Sequence, residues 1–311
     1  MAALSQDIGG EVARPAPAID RCVAVLNHMA ARPTRQFTLS ELARDLDLNK
    51  ATAHGMLNTL ARAGYLIRDP DAKTYGLGPA LIALGNAALS STPAARLAEP
   101  RMTALSQEFD LECVASAAIA DEIVILARAG TPRPLGINVE PGQRLPLAPP
   151  LGTVFVAWSG PEAIDRWLSH VGPDHSDPSL KQRSGSDRES DLARYRLALA
   201  TVRERGYSVA LGGEGQQRLV QALQDAGHEP RGSRGGEEYA LVELAGTERY
   251  RINHIGAPVF DARGQVALAL FLIGFRGQIA AEEVPRYADR LMDAADAVTT
   301  SLRGRNPLAV G

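Results

Sequence analysis

The chain has 311 residues, 45% of them hydrophobic and 22% charged, with a formal net charge of −3. This length allows two domains with separate cores, and the balance is that of a globular protein rather than a disordered or strongly basic chain. No apolar run approaches the roughly 20 residues that span a bilayer, and the opening MAALSQDIGGEVARPAPA lacks a signal-peptide core.

Two distant cysteines, Cys22 and Cys113, read as reduced thiols in a cytoplasmic setting. Residues 1–80 hold nine Lys/Arg against eight Asp/Glu, and the remainder 24 against 28. Any basic face must therefore come from arrangement, not from bulk charge.

In chain order, residues 1–17 read as a flexible arm of Gly, Pro and Ala. A first helix is expected over Asp20 to Ala31, where Cys22, Val25, Leu26 and Met29 form one apolar stripe, and Pro33 stops it. Thr38 and Glu41 then have the spacing of a capping box, opening a helix whose stripe is Leu39, Leu42, Ala43 and Leu46. Asp47, Leu48 and Asn49 form a tight turn, with Asn49 placed to cap the next helix.

That next helix runs from Lys50 to about Ala63. Ala53, Leu57 and Leu60 face inward, while Lys50, Ala51, His54, Gly55, Asn58 and Arg62 fall outward. Gly64 ends it as a left-handed cap. A charged hairpin follows: Tyr65 to Arg68, a turn at 69–72, and Lys73 to Leu77, with Arg68 and Lys73 flanking the turn.

Two short helices, a tight turn and a charged hairpin make a winged helix-turn-helix, whose second helix fits the DNA major groove. The outward face is small and polar, so base edges can be approached. Asn58 can pair with adenine, Lys50 with guanine, and Thr52 can reach phosphate. A merely solvated helix face would explain the same stripe in isolation; the two-helix spacing and the wing favour DNA.

Leu77 to Ser91 is helical by period, with Leu81, Leu84 and Ala88 on one side, and reads as a connector. Beyond it the pattern is mixed. A helix over 94–109 precedes strands Glu112 to Ile119 and Ile123 to Ala127, with a third expected near Leu135 to Val139. Helices follow from Gly152 to Trp158 and Pro161 to His170. A polar loop fills 171–190, then a helix (190–205) leads into a strand at Tyr207 to Leu211.

Val259–Phe260 and Val266–Ile273 read as a hairpin across Asp261 to Gly264. VALALFLI is apolar on both faces, so its strand is expected at the centre of a sheet. A helix over 281–303 closes the domain. The resulting division is 1–17 arm, 18–79 winged helix-turn-helix DNA-binding domain, 80–93 linker helix, 94–304 mixed α/β domain, which the resemblance given next makes the effector-binding and oligomerisation domain, and 305–311 loose tail.

The segment LSELARDLDLNKATAHGMLNTLARAGYLIRDPDAKTYGLGPALIALG resembles the amino-terminal domain of IclR-family bacterial transcriptional regulators. RPLGINVEPGQRLPLAPPLGTVFVAW, VRERGYSVAL and INHIGAPVFDARGQVALALFLIGF resemble the family's effector domain, in order. The resemblance implies an α+β chain: a winged helix-turn-helix joined by a helix to a GAF-like α/β effector-binding domain. It implies double-stranded DNA and a small-molecule effector as partners, and assembly as a homodimer or homotetramer through contacts that include the linker helix. No membrane partner and no cofactor or metal is expected.

The DNA-facing set is Thr38, Asn49, Lys50, Ala51, Thr52, His54, Gly55, Asn58, Arg62, Arg68 and Lys73. By the resemblance, an organic or aromatic acid sits at Leu145, Leu147, Pro150, Leu151, Gly152, Thr153, His254, Phe271 and Ile273. Backbone N–H groups at a helix start there would attract a carboxylate.

The chain departs from the family pattern in several places. Gly55 stands where an Arg is frequent, Pro149-Pro150 replaces a run of small residues, Phe271 and Ile273 replace Ser, and His254 replaces a frequent Cys. These changes predict a different operator and a smaller, more apolar pocket. His254 is open to two readings, an effector contact or a core histidine bonded to backbone. Residues 212–246 resemble an insertion without an assigned role.

Two other functions compete with this one. A hydrolase lacks support, since GxSxG, CxxC and HExxH are absent. A sensor working through protein contacts alone draws on Gly55 and the modest charge bias.

Overall fold

The computed structural model describes residues 16–131, 139–171, 185–212, 244 and 246–307. The expected arm up to residue 15, most of the Leu135 to Val139 strand, the loop over 172–184, nearly all of the 212–246 insertion and the last four tail residues lie outside them. The described chain divides at residue 92 into two compact units.

The first unit opens with α1 (Pro17–Ala30), β1 (Phe37–Thr38), α2 (Leu39–Asp45) and α3 (Lys50–Arg62). It continues through β2 (Leu66–Asp69), β3 (Thr74–Leu77) and α4 (Ala80–Ser90). Val25 and Met29 of α1, Leu42 of α2, and Met56 and Leu57 of α3 are buried around Phe37, Leu66 and Tyr75. Each fully buried side chain of this size contributes about 2 kcal/mol of transfer free energy.

Phe37 explains a strand that periodicity did not predict. Its ring is wholly buried, and β1 pairs with β3 through Phe37–Tyr75, so the expected two-stranded wing is a three-stranded antiparallel sheet in the order β1-β3-β2. Leu77 ends β3, as the expected wing has it, and the connector helix expected from Leu77 begins at Ala80. Gly78 follows where a Cβ would lie 2.2 Å from the Gly64 carbonyl oxygen, which forces a glycine at that crossing. On α4 the side chains of Ile82 and Leu84 are exposed.

The second unit contains α5 (Pro93–Phe109), β4 (Glu112–Ile119), β5 (Glu122–Ala129), β6 (Arg144–Pro146), α6 (Thr153–Val156), α7 (Pro161–Ser169) and α8 (Gly185–Arg205). It ends with β7 (Ser208–Leu211), β8 (Arg249–Tyr250), β9 (Ile252–Phe260), β10 (Val266–Ile273), β11 (Ile279–Ala280) and α9 (Val284–Ser301). Six strands form one antiparallel sheet in the order β6-β5-β4-β10-β9-β7.

β10, the VALALFLI strand, is central as its two apolar faces predict. Its hairpin partner β9 runs nine residues, well beyond the two expected. Asp261 closes that hairpin, its carboxylate accepting from the N–H groups of Arg263 and Gln265. The neighbour of β5 on its far side is β6, a short strand that lacked any alternating pattern.

Strand alternation gives the sheet two distinct faces. One carries Cys113, Ala115, Ile255, Leu268, Leu270 and Leu272 and packs with Met102 of α5 and Leu291 of α9. The other faces the loop before α6, where Leu151, Val154 and Phe155 pack against Ile123 and Ala269. The chain after α9 is bound where it is described: Arg305 N–H donates to the Asp261 carbonyl, and Asn306 to the Asp296 carboxylate.

Candidate functional site

The α3 surface is built by its caps. Asn49 Oδ1 accepts from Ala51 N–H at 2.8 Å and starts the helix. At its end, Tyr65 N–H donates to the Leu60 carbonyl and Gly64 N–H to that of Ala61, with Gly64 at φ 77°. These two bonds are the Schellman pattern that terminates a helix cleanly. Upstream, Thr38 Oγ1 accepts from Glu41 N–H, and the Glu41 carboxylate takes both the Thr38 N–H and hydroxyl. Those Thr38 bonds hold the Glu41 carboxyl below its ordinary pKa. The side chains of Thr38 and Asn49 thus serve caps, and their place in the DNA-facing set is positional.

Between these ends, Ala53, Met56 and Leu57 are buried. Lys50, Ala51, Thr52, His54, Gly55 and Arg62 are exposed, and Asn58 is half-buried. Asn58 Nδ2 lies 3.2 Å from His54 Nε2, which joins two of the expected reading residues. A Cβ added at Gly55 would meet nothing within 4 Å, so no packing inside the chain requires glycine there. On the wing, Arg68 and Lys73 are exposed, and Lys73 takes a left-handed conformation at φ 54°. The wing turn is fastened by Asp69, whose carboxylate accepts from Asp71 and Ala72 N–H.

The second constellation lies on the sheet. Leu145, Leu147, Leu151 and Phe271 share one apolar cluster, and Ile273 packs with Leu145 and Phe271 in the next. His254 meets Phe271 edge-to-face, with ring centroids 5.2 Å apart. Gly152 has φ 89°, and a Cβ there would fall 2.4 Å from Leu147 Cδ1. Pro150 and Thr153 flank this Leu151–Gly152 turn, and Trp167 Nε1 pins it by donating to the Leu151 carbonyl.

Two expectations about this place change. The helix after Gly152 is only the four residues Thr153–Val156, so its dipole is that of a single turn. His254 is held neutral by burial, which pushes its pKa down to about 4. It therefore offers hydrogen bonding to a ligand and no charge.

Strand register also brings in residues that periodicity did not single out. One row across the strands reads Arg128, Val114, Phe271, Gly256, Ser208, and the next Glu112, Ile273, His254, Ala210. Ser116 sits in the row on the other side of Val114, opposite Ala269, buried, with its hydroxyl lacking a hydrogen-bond partner. Glu112 and Arg128 are charges inside otherwise apolar strands; the signal was present as a breach of pattern. Gly256 is explained by its neighbour, since a Cβ would fall 2.6 Å from Phe271 Cε1. Among the described residues no group of His, Cys, Asp and Glu has the arrangement of a metal site.

Residues 18–70 match the model of the IclR helix-turn-helix domain. The Pca regulon regulatory protein of Pseudomonas putida is 25% identical over 269 residues, covering 85% of this chain and 76% of that protein. The chain belongs to the IclR family. The crystal structure of an IclR transcriptional regulator from Alicyclobacillus acidocaldarius covers 93% of this chain and 99% of its own, with a TM-score of 0.67 and 23% identity. An IclR homolog from Microbacterium hydrocarbonoxydans, crystallised in complex with 4-hydroxybenzoate, covers 92% and 99% with a TM-score of 0.61 and 22% identity.

The IclR fold accounts for the winged helix-turn-helix and the antiparallel sheet with helices on both faces. The protein is a DNA-binding transcriptional regulator of this family. No described helix is long and apolar enough to cross a membrane.

Proposed function

We propose that this IclR-family regulator binds an inverted-repeat operator as a homodimer or homotetramer, with affinity set by a small aromatic or hydrophobic organic acid. The observation that carries the reading is the outward face of α3. It is capped at both ends, anchored by Met56 and Leu57, and left uncovered at Lys50, His54 and Gly55. Such a helix enters a major groove, and a two-fold assembly sets two of them about one helical turn apart.

The exposed Ile82 and Leu84 of α4 support self-association, because apolar side chains of this size gain by burial. The sheet face supports the effector. It is a largely apolar wall of Leu145, Phe271 and Ile273 with a few hydrogen-bonding groups, as small-molecule sites require. The homolog bound to 4-hydroxybenzoate points to the aromatic-acid class. Effector binding then shifts the population between DNA-competent and DNA-incompetent arrangements, to the extent that its affinity for the two differs. A regulator of this kind works in the cytoplasm, on chromosomal DNA.

The test is retention of DNA from upstream of the chain's own gene. At low salt the full chain retards a fragment carrying the inverted repeat, and retention falls steeply as salt rises. Failure to retain any such fragment at low salt contradicts the proposal.

A further inference from the structure

We infer that Arg128 is the carboxylate anchor of the effector site, and that the Glu140 carboxylate competes with the effector for it. This rests on the reading of the sheet face as the place of an acidic effector. The strand register puts one cation on that face among the described residues, Arg128. It lies across from Val114, which is buried with Ile125, Val139 and Ile273. Of the other sources of positive potential, His254 is neutral, the helix at Thr153 is one turn, Pro150 has no N–H, and Arg166 of α7 lines the cavity beside Leu147 and Phe155, away from the Arg128 row.

Arg128 is held from two unlike sides. Inside, the Glu112 carboxylate stands 3.9 Å away with its side chain 2% exposed. Outside, Arg128 Nη1 donates to Glu140 Oε1 at 3.1 Å and to the Val139 carbonyl at 3.1 Å. The Glu140 side chain is 55% exposed. The buried Glu112 carboxylate balances the Arg128 charge beside the apolar face, since removing either partner would strand the other's charge. An exposed partner contributes little and is readily exchanged for another carboxylate. Glu140 also opens the turn that leads to β6, where Gln143 N–H donates to its carbonyl and Gly142 N–H to that of Ile125.

The experiment is calorimetric titration of the full chain with benzoate and with its uncharged isostere benzamide. Benzoate is expected to bind tighter. Glu140→Gln should raise benzoate affinity severalfold and leave benzamide unchanged. Arg128→Gln should weaken benzoate about tenfold, the scale of one lost charge-assisted hydrogen bond, and spare benzamide. Should Arg128→Gln fail to fold, the Glu140→Gln comparison decides. Equal binding of the two probes, or benzoate affinity unmoved by Glu140→Gln, overturns the role of Arg128. If Phe271→Ala then still weakens both probes, the sheet face stands as the effector site. Binding of neither probe to wild type or Glu140→Gln overturns the inference, and DNA retention, measured separately, reports on the regulator reading.

Discussion

Gly55 shows how a single residue separates folding from recognition. A glycine inside a helix costs about 1 kcal/mol relative to alanine, and a side chain here would strike nothing in the protein within 4 Å. Gly55→Ala should therefore raise the stability of the DNA-binding unit by about 1 kcal/mol in denaturant unfolding. The same methyl projects into the DNA-facing side, so operator affinity should fall while stability rises.

His254 makes a second residue-scale case. Its folded pKa of about 4 lies below the ordinary 6.5, so the unfolded chain binds the extra proton first as pH falls. The linked stability is fully present above pH 6.5 and is lost as pH drops toward 4, by at most about 3 kcal/mol. His28 is shifted in the same direction, by its own burial first and then by Arg32, and its contribution too is lost as pH falls below 6.5. Thermal unfolding of His254→Gln against wild type isolates the His254 share, and the variant should lose less stability between those pH values.

At the scale of elements, the helices of the DNA-binding unit were legible because their signals are local. A capping box at Thr38, a cap at Asn49 and a glycine at Gly64 each act within four residues. Strands were less legible. β1 forms because Phe37 is buried across from Tyr75, a long-range fact with no periodicity in two residues. β6 is likewise three residues beside β5. The effector face was half legible: the loop around Gly152 and the residues His254, Phe271 and Ile273 were identified by resemblance. The placing of Glu112, Arg128 and Ser116 on this face depends on register, which only the paired strands supply.

Register also explains a compensated pair in the sheet. Phe271 lies over Gly256, where alanine would place a Cβ 2.6 Å from its ring and 2.8 Å from Ser208 Oγ. Gly256→Ala should destabilise the sheet unit by about 1–3 kcal/mol through overpacking. Combining it with Phe271→Leu should recover part of that loss, since the strain is shared between the two positions. Additive losses in chemical denaturation would count against this account.

For the whole molecule, a formal charge of −3 gives no general attraction to DNA. Binding must come from the placement of a few groups, with Lys50, His54, Asn58 and Arg62 on α3 and Arg68 and Lys73 on the wing. Base contacts and phosphate contacts leave different signatures. Loss of Asn58 should relax sequence preference, whereas loss of Arg68 should weaken all sequences alike and flatten the salt dependence. The most direct measurement is fluorescence anisotropy of the upstream inverted repeat and a scrambled duplex, titrated with wild type and with Lys50→Ala/Asn58→Ala. The account predicts a clear wild-type preference for the repeat, with the double variant binding both duplexes equally and weakly. A double variant that keeps the wild-type preference and affinity would contradict it.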